Sequence, residues 1–240
     1  MPESLSIFGF QLSLYYLFWF LGVVAVLVVG YWIGKKKYGF SFAKSILYVV
    51  LAVAIGYVLL WVTSWIVGGG KMMGLNYVRI VTVLPIAIFL VTLIFKDKFS
   101  NVADFIAPLL AIFHGVTHIG CIFPGCCHGY PAEWGLFSNE ANAICFPSQP
   151  LEAISSLLTA VVLLIMMKYK VQSGKLYAWY LIMFGGTRFL WEFLRDNDKI
   201  WFGISELAIH ALMAFVVGLI ALILLIIFDK RRRANEKGKV

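Results

Sequence analysis

The sequence predicts an all-α, polytopic membrane protein, a bundle of about seven transmembrane helices. Three observations predict it. Of 240 residues, 62% are hydrophobic and 13% charged, whereas a soluble domain is near half apolar. Apolar runs of about 18 residues or more recur along the chain, each long enough to cross roughly 30 Å of hydrocarbon as a helix. The basic residues gather in every second loop.

The first run, about 8–33, starts beside Glu3 with no basic residue, so it reads as a retained anchor rather than a signal peptide. Tyr15 and Tyr16 sit near its start, as interface aromatics or with a hydroxyl turned into a cavity. Lys35, Lys36, Lys37 and Lys44 follow, then a second run, 45–67. The stretch Gly68-Gly69-Gly70-Lys71-Met72-Met73-Gly74 reads as a turn whose backbone can approach a headgroup. A third run, 77–95, ends at Lys96 and Lys98. The fourth, 102–120, opens with Asn101 as expected cap and Asp104 reaching back to it, a capping box. His114 and His118, four apart, share one face of this helix. The fifth run, 150–167, opens Pro147-Ser148-Gln149-Pro150-Leu151-Glu152, where Ser148 or Gln149 can cap and Glu152 suits the positive helix end. After Lys168, Lys170 and Lys175 come a sixth run, 176–193, a seventh, 204–228, and a basic tail, 229–240, with Lys230 to Arg233. The alternate loops hold little beyond Lys71, Arg79, Arg195 and Lys199, so the positive-inside rule places the N-terminus outside and the C-terminus in the cytoplasm. No repeat or linker divides the chain, which reads as one integral membrane domain, 1–240. The net charge of +8 lies in loops and does not describe a nucleic-acid surface.

Chemistry concentrates in two places. His118-Ile-Gly-Cys-Ile-Phe-Pro-Gly-Cys-Cys-His-Gly-Tyr-Pro131 crowds thiols, imidazoles, Gly and Pro into a chain otherwise written in Leu, Ile, Val and Phe. Such a segment cannot be a lipid-facing helix. With the topology above, 121–149 is extracytoplasmic, and its Trp134, Phe137 and Phe146 make it an interfacial insertion rather than a free loop. Cys121, Cys126, Cys127 and Cys145 then lie where disulfides are allowed, and Cys145 can pair with one of the other three. In the sixth run, Arg188, Glu192 and Arg195 stack at i, i+4 and i+7. Charges inside a span cost at least about 2.5 kcal/mol each unless paired or wetted, so they must face the bundle interior. There they fix the helix as ion pairs, or the guanidinium grips an anionic group such as a phospholipid phosphate. Glu206 and His210 form a further i, i+4 pair, acid/base or structural. The spacing of His114, His118, Cys121, Cys126, Cys127 and His128 follows no paired Cys-x-x-Cys plan, so no metal or other cofactor is expected. A metal or thiol-redox membrane protein stays as a third class.

These blocks resemble the prolipoprotein diacylglyceryl transferase family. His118–Pro131 is similar to that family's Arg-Ile-Gly-x-Phe-x-x-Gly-x-x-x-Gly-x-Pro block, Pro147-Ser148-Gln149 with Glu152 to its Pro-Ser/Thr-Gln-x-x-Glu block, and Arg188-Phe189-x-x-Glu192-x-x-Arg195 to its Arg-Phe-x-x-Glu-x-x-Arg block. The resemblance implies a multi-pass enzyme of the bacterial cell (inner) membrane. Its substrates would be a phosphatidylglycerol-like phospholipid and a lipoprotein precursor whose cysteine thiol receives the diacylglyceryl group, with release of glycerol phosphate. It implies catalytic roles for His118, Arg188 and Glu192, with Arg188 on the phosphate. Glu192 with Arg195 would order the phosphate site, and Gly120, Gly125 and Gly129 would shape a lipid cleft; Tyr15, Tyr16, Cys121, Gln149, Glu152, Glu206 and His210, read from their places in the runs and blocks above, complete the candidate substrate-binding residues. His118 stands where the family carries arginine, and Met72-Met73-Gly74 where it presents a His or Tyr turn. An altered acceptor, or a lipid-binding protein that kept the fold and lost the chemistry, is the alternative reading of those departures.

Overall fold

Alternation of Ser4, Ser6, Gln11 and Ser13 with apolar residues has a period of two, the strand pattern. In a computed structural model, which describes residues 4–7, 10–67, 76–169, 171 and 174–237, the chain accordingly opens as a hairpin. Strand β1 (Ser4–Ile7) pairs antiparallel with β2 (Phe10–Ser13), Ser4 opposite Ser13. The first helix therefore starts at Leu14 and not at 8. Seven helices follow: α1 (Leu14–Ile33), extended by a π-helical turn over Gly34–Tyr38, α2 (Phe42–Val67), α3 (Tyr77–Phe95), α4 (Phe99–Cys121), α5 (Ser148–Lys168), α6 (Lys175–Glu192) and α7 (Glu206–Lys237). Among the described residues six of them are long and apolar enough to cross a membrane. Helix α6 is the seventh, and Lys175, Arg188 and Glu192 are what lower its hydropathy. The glycine–methionine turn read at 68–74 lies outside the described residues.

Between α4 and α5, the insertion folds as strand β3 (Pro131–Ser138) against β4 (Ala143–Cys145). Two short strands, β5 (Lys199–Trp201) and β6 (Ile204–Ser205), precede α7. All four cysteines are free, so the bridge from Cys145 does not form; its side chain is instead buried under the insertion. Helix α7 runs through the basic tail to Lys237, beyond the expected end at 228. Lys, Arg, Ala and Glu are strong helix formers, and Arg232 pairs with Glu236 one turn on at 2.9 Å.

Helix α4 is the central one, with 67% of its apolar window buried, while the others turn much of their surface outward. Val28, Trp32, Ile66, Phe89, Ile94, Ile154, Leu158 and Phe228 are exposed, an apolar surface suited to lipid. The α6–α7 contact is close because of small residues: a Cβ on Gly185 would lie 2.5 Å from the Phe215 backbone nitrogen, and one on Gly218 2.8 Å from the Leu181 Cβ. That closeness sets α6 deep in the bundle.

Asp104 does not close a capping box within its own helix. The cap position of α4 is Lys98, with no side-chain bond, and the Asp104 carboxylate accepts from the backbone nitrogens of Gly174 (2.6 Å) and Tyr177 (3.0 Å). It caps α6 across the bundle, meeting the free donors and positive dipole of that helix start. Asp104→Ala should cost about 2 kcal/mol of stability, read as a lowered unfolding midpoint of the protein in detergent.

Candidate active site

Alternating helix direction gathers the ends of α4 and α6 and the starts of α1, α3, α5 and α7 at one end of the bundle. A cavity of about 290 Å³ opens there. One wall is aromatic and apolar, with Tyr15 and Trp19 from α1, Tyr77, Val78 and Ile80 from α3 and Phe113 from α4. The rest of the lining is mostly polar: His114, His118 and Cys121 of α4, Cys127 of the following turn, Glu152 of α5, Arg188 of α6 and Arg195 just after it. One pocket thus joins apolar and charged surface.

Arg188, Glu192 and Arg195 share a face and are all buried. Arg188 pairs with Glu192 one turn on and has Glu152 Oε1 at 3.6 Å. Arg195 pairs directly with Glu152 Oε1. Glu192 is held from behind by the Ser205 hydroxyl at 2.6 Å and by the Asn197 amide. It does not line the cavity, so it positions Arg188 rather than touching a reacting group. The other Glu152 oxygen, Oε2, lies 3.1 Å from His118 Nε2 and 3.8 Å from His114 Nε2. His114 is fixed by the Ser156 hydroxyl at 2.7 Å and by Tyr77, whose ring centroid is 4.4 Å away. His118 Nδ1 donates to the His114 carbonyl at 3.1 Å, which leaves Nε2 toward Glu152 and the thiols.

The Cys126–Cys127 turn is anchored from α5. Ser148 donates to the Cys127 carbonyl at 2.6 Å and Gln149 to the Cys126 carbonyl at 2.9 Å. Neither caps α5, whose start has no side-chain cap; both hold the turn that delivers Cys127. The Cys126 thiol donates to the Cys121 carbonyl at 3.9 Å, and the neighbouring Cys121 and Cys126 thiols, followed by His118 and Arg195, hold the Cys127 thiol well below its usual range despite burial. Burial opposes the charge of Arg195, but Glu152 and Cys127 outweigh it and keep the guanidinium protonated.

The profile of the family described as prolipoprotein diacylglyceryl transferase matches residues 2–227. The chain belongs to that family. It is 27% identical over 246 residues to the phosphatidylglycerol–prolipoprotein diacylglyceryl transferase of Campylobacter lari, covering 90% of each chain. With the protein of the same name from Dehalococcoides mccartyi it shares 22% identity over 254 residues, 98% of this chain and 95% of that one. The Clostridium tetani protein of that name is 31% identical over 103 residues, 40% of this chain and 41% of its own length.

Of the candidate residues marked in the sequence, Tyr15, His118, Cys121, Glu152, Arg188 and Arg195 meet at the cavity. The glycines do not. A Cβ on Gly120 would meet Phe18 at 2.9 Å, on Gly125 the Ser138 backbone at 2.6 Å, and on Gly129 the Leu194 carbonyl at 2.6 Å. They let backbones touch behind the site rather than shape its surface. Tyr16 is 68% exposed and faces outward, as an interface aromatic does. Glu206 is engaged by Arg79 through two bonds of 2.8 and 2.7 Å, with His210 at 3.5 Å, a pair tying α3 to α7 beside the cavity. Sequence reasoning missed Asn76, Tyr77 and Thr117 as lining residues; each is an ordinary capping, aromatic or helical residue in the sequence, without any spacing signal. His114 carried one, its four-residue offset from His118.

Glu152→Ala leaves two buried guanidiniums short of a partner and should cost about 3–5 kcal/mol. Adding Arg195→Ala should recover at least about 1 kcal/mol of that loss, measured as a double-mutant cycle on thermal unfolding.

Proposed function

We propose that this enzyme moves the diacylglyceryl group of phosphatidylglycerol, or a closely similar phospholipid, onto the cysteine thiol of a lipoprotein precursor at the outer leaflet. The observation that carries the reading is the shared cavity wall of Arg188, Arg195 and His118 around Glu152. Two guanidiniums suit the phosphate, which becomes the leaving group, and their stabilisation of it grows as the carbon–oxygen bond breaks. The aromatic wall of Tyr15, Trp19 and Phe113 suits the glycerol and the first carbons of the acyl chains. The acceptor thiol loses its proton on the imidazole side, where His118 Nε2 faces the cavity. Its sulfur attacks the glycerol carbon, the bond from that carbon to phosphate oxygen breaks, and the electron pair leaves with glycerol phosphate.

The charge pattern supports the side. Lys37 reaches the Met167 carbonyl at 2.7 Å, Lys44 pairs with Asp97 at 2.7 Å and Lys175 with Asp229, all at the end opposite the cavity. By the positive-inside rule that end is cytoplasmic. A fluorescent protein fused after residue 240 should fluoresce, and alkaline phosphatase there should stay inactive; the opposite pair of results inverts the topology.

The activity is tested with purified protein, labelled phosphatidylglycerol and a peptide carrying the lipoprotein cysteine. A thioether-linked lipopeptide and free glycerol phosphate should appear together. Arg188→Ala should abolish both, and His118→Ala should slow them at least about 100-fold. Neither product from the unaltered protein rejects the reaction.

A further inference from the structure

The sequence offers no paired thiol motif, yet folding brings three soft donors to one spot. The ligand atoms of His118, Cys121 and Cys127 lie within 4.8 Å of one another and all three residues line the cavity. We propose that they form a zinc site with an open fourth position facing the cavity.

The geometry is that of a binding site in three respects. Tetrahedral zinc with bonds of about 2.3 Å to sulfur and about 2.0 Å to nitrogen needs ligand atoms about 3.5–3.8 Å apart, and the three here all lie within 4.8 Å of one another. His118 donates Nδ1–H to the His114 carbonyl at 3.1 Å, the outer contact that fixes the tautomer of a metal-binding imidazole and frees Nε2 as ligand. Cys127 holds φ at 60°, a left-handed backbone that costs a non-glycine residue about 1 kcal/mol or more, and Ser148 and Gln149 brace that turn. A thiol serving only as apolar filling would sit as well in a relaxed turn. Glu152 Oε2, 3.1 Å from His118 Nε2, accepts no well-aligned hydrogen bond among the described residues and lies beside the site, leaving the fourth position to an entering group. Two thiolates and an imidazole are a ligand set that catalytic zinc uses with a fourth position left for substrate.

The use of the site rests on the transfer proposed above and alters one of its steps. A thiol entering the open position is deprotonated by coordination, its proton passing to water at the cavity mouth, and the bound thiolate remains the nucleophile. His118 then acts as ligand where the family arginine would act as fixed charge. The thioether product is a neutral, weak ligand and leaves.

The test uses the full chain in detergent, purified without chelator. Elemental analysis should find about one zinc per chain, lost in Cys121→Ser and in Cys127→Ser but kept in Cys145→Ser. Unaltered protein, stripped and reloaded with cobalt, should show sulfur-to-cobalt charge-transfer absorption, a readout that needs no variant to fold. Substoichiometric zinc together with no such absorption overturns the site. Full transfer activity in the stripped protein overturns its catalytic use and leaves the transferase reading intact. Bound metal with no transfer in either form sustains the site and overturns the transferase reading instead.

Discussion

The carboxylate of Glu152 is the constraint around which this end of the bundle is arranged. It comes from the second turn of α5, yet it meets Arg188 of α6, Arg195 just after that helix and the imidazoles of α4. A charged side chain within a span costs about 2.5–3.5 kcal/mol on insertion scales. Four such groups, Glu152, Arg188, Glu192 and Arg195, would therefore burden the bundle by on the order of 10 kcal/mol if each stood alone. They do not stand alone. Glu152, Arg188 and Glu192 form a ladder of alternating sign that continues to Ser205, the residue before α7. That ladder ties three helices at one depth and sets the polar wall of the cavity.

Packing elsewhere serves to hold that ladder in place. Among helices whose outer faces are as apolar as lipid, the hydrophobic effect gives little reason to associate, so close contact falls to small residues and buried polar bonds. Gly185 precedes Arg188 by one turn and presses against the Ala211–Phe215 backbone of α7. Asp104, at the other end of α6, fixes its start from α4. A helix pinned at both ends has little freedom to roll, and a roll of one residue would carry Arg188 out of the cavity.

Where the sequence was legible, the reason is periodicity. Seven apolar runs marked seven helices, and the i, i+4, i+7 offsets of Arg188, Glu192 and Arg195 placed them on one buried face. What failed was inference from local chemistry about partners distant in sequence. Asp104 sits three residues after Asn101, so a capping box was the nearest explanation; its real partners are Gly174 and Tyr177, about seventy positions on. Ser148 and Gln149 open a helix and so looked like caps, while they reach the carbonyls of Cys127 and Cys126. The resemblance gave the glycines of the cysteine block to a lipid cleft, but a neighbouring backbone exploits a missing Cβ as readily as a ligand does, and here it is mostly backbone that fills the space. Strand β2 was absorbed into the first run, read from about 8, because an apolar run hides a two-residue alternation at its edge.

The replacement of the family arginine by His118 has a consequence that the charge balance makes plain. Counting the imidazoles as neutral, the cavity lining sets the guanidiniums of Arg188 and Arg195 against the one carboxylate of Glu152, and Glu192 neutralises Arg188 from behind, so little positive charge is left over for a phosphodiester. A further arginine would supply a permanent positive charge. Histidine supplies one only on gaining a proton or a metal ion. Next to His118 lies Cys127, a second donor group in the same lining. On the proposal of a metal ion beside His118, a divalent ion would offer an anionic lipid more cationic compensation than one proton on an imidazole does. The position that the resemblance gives to a fixed charge would then be a donor instead, and His118 belongs to both donor clusters at this end of the bundle.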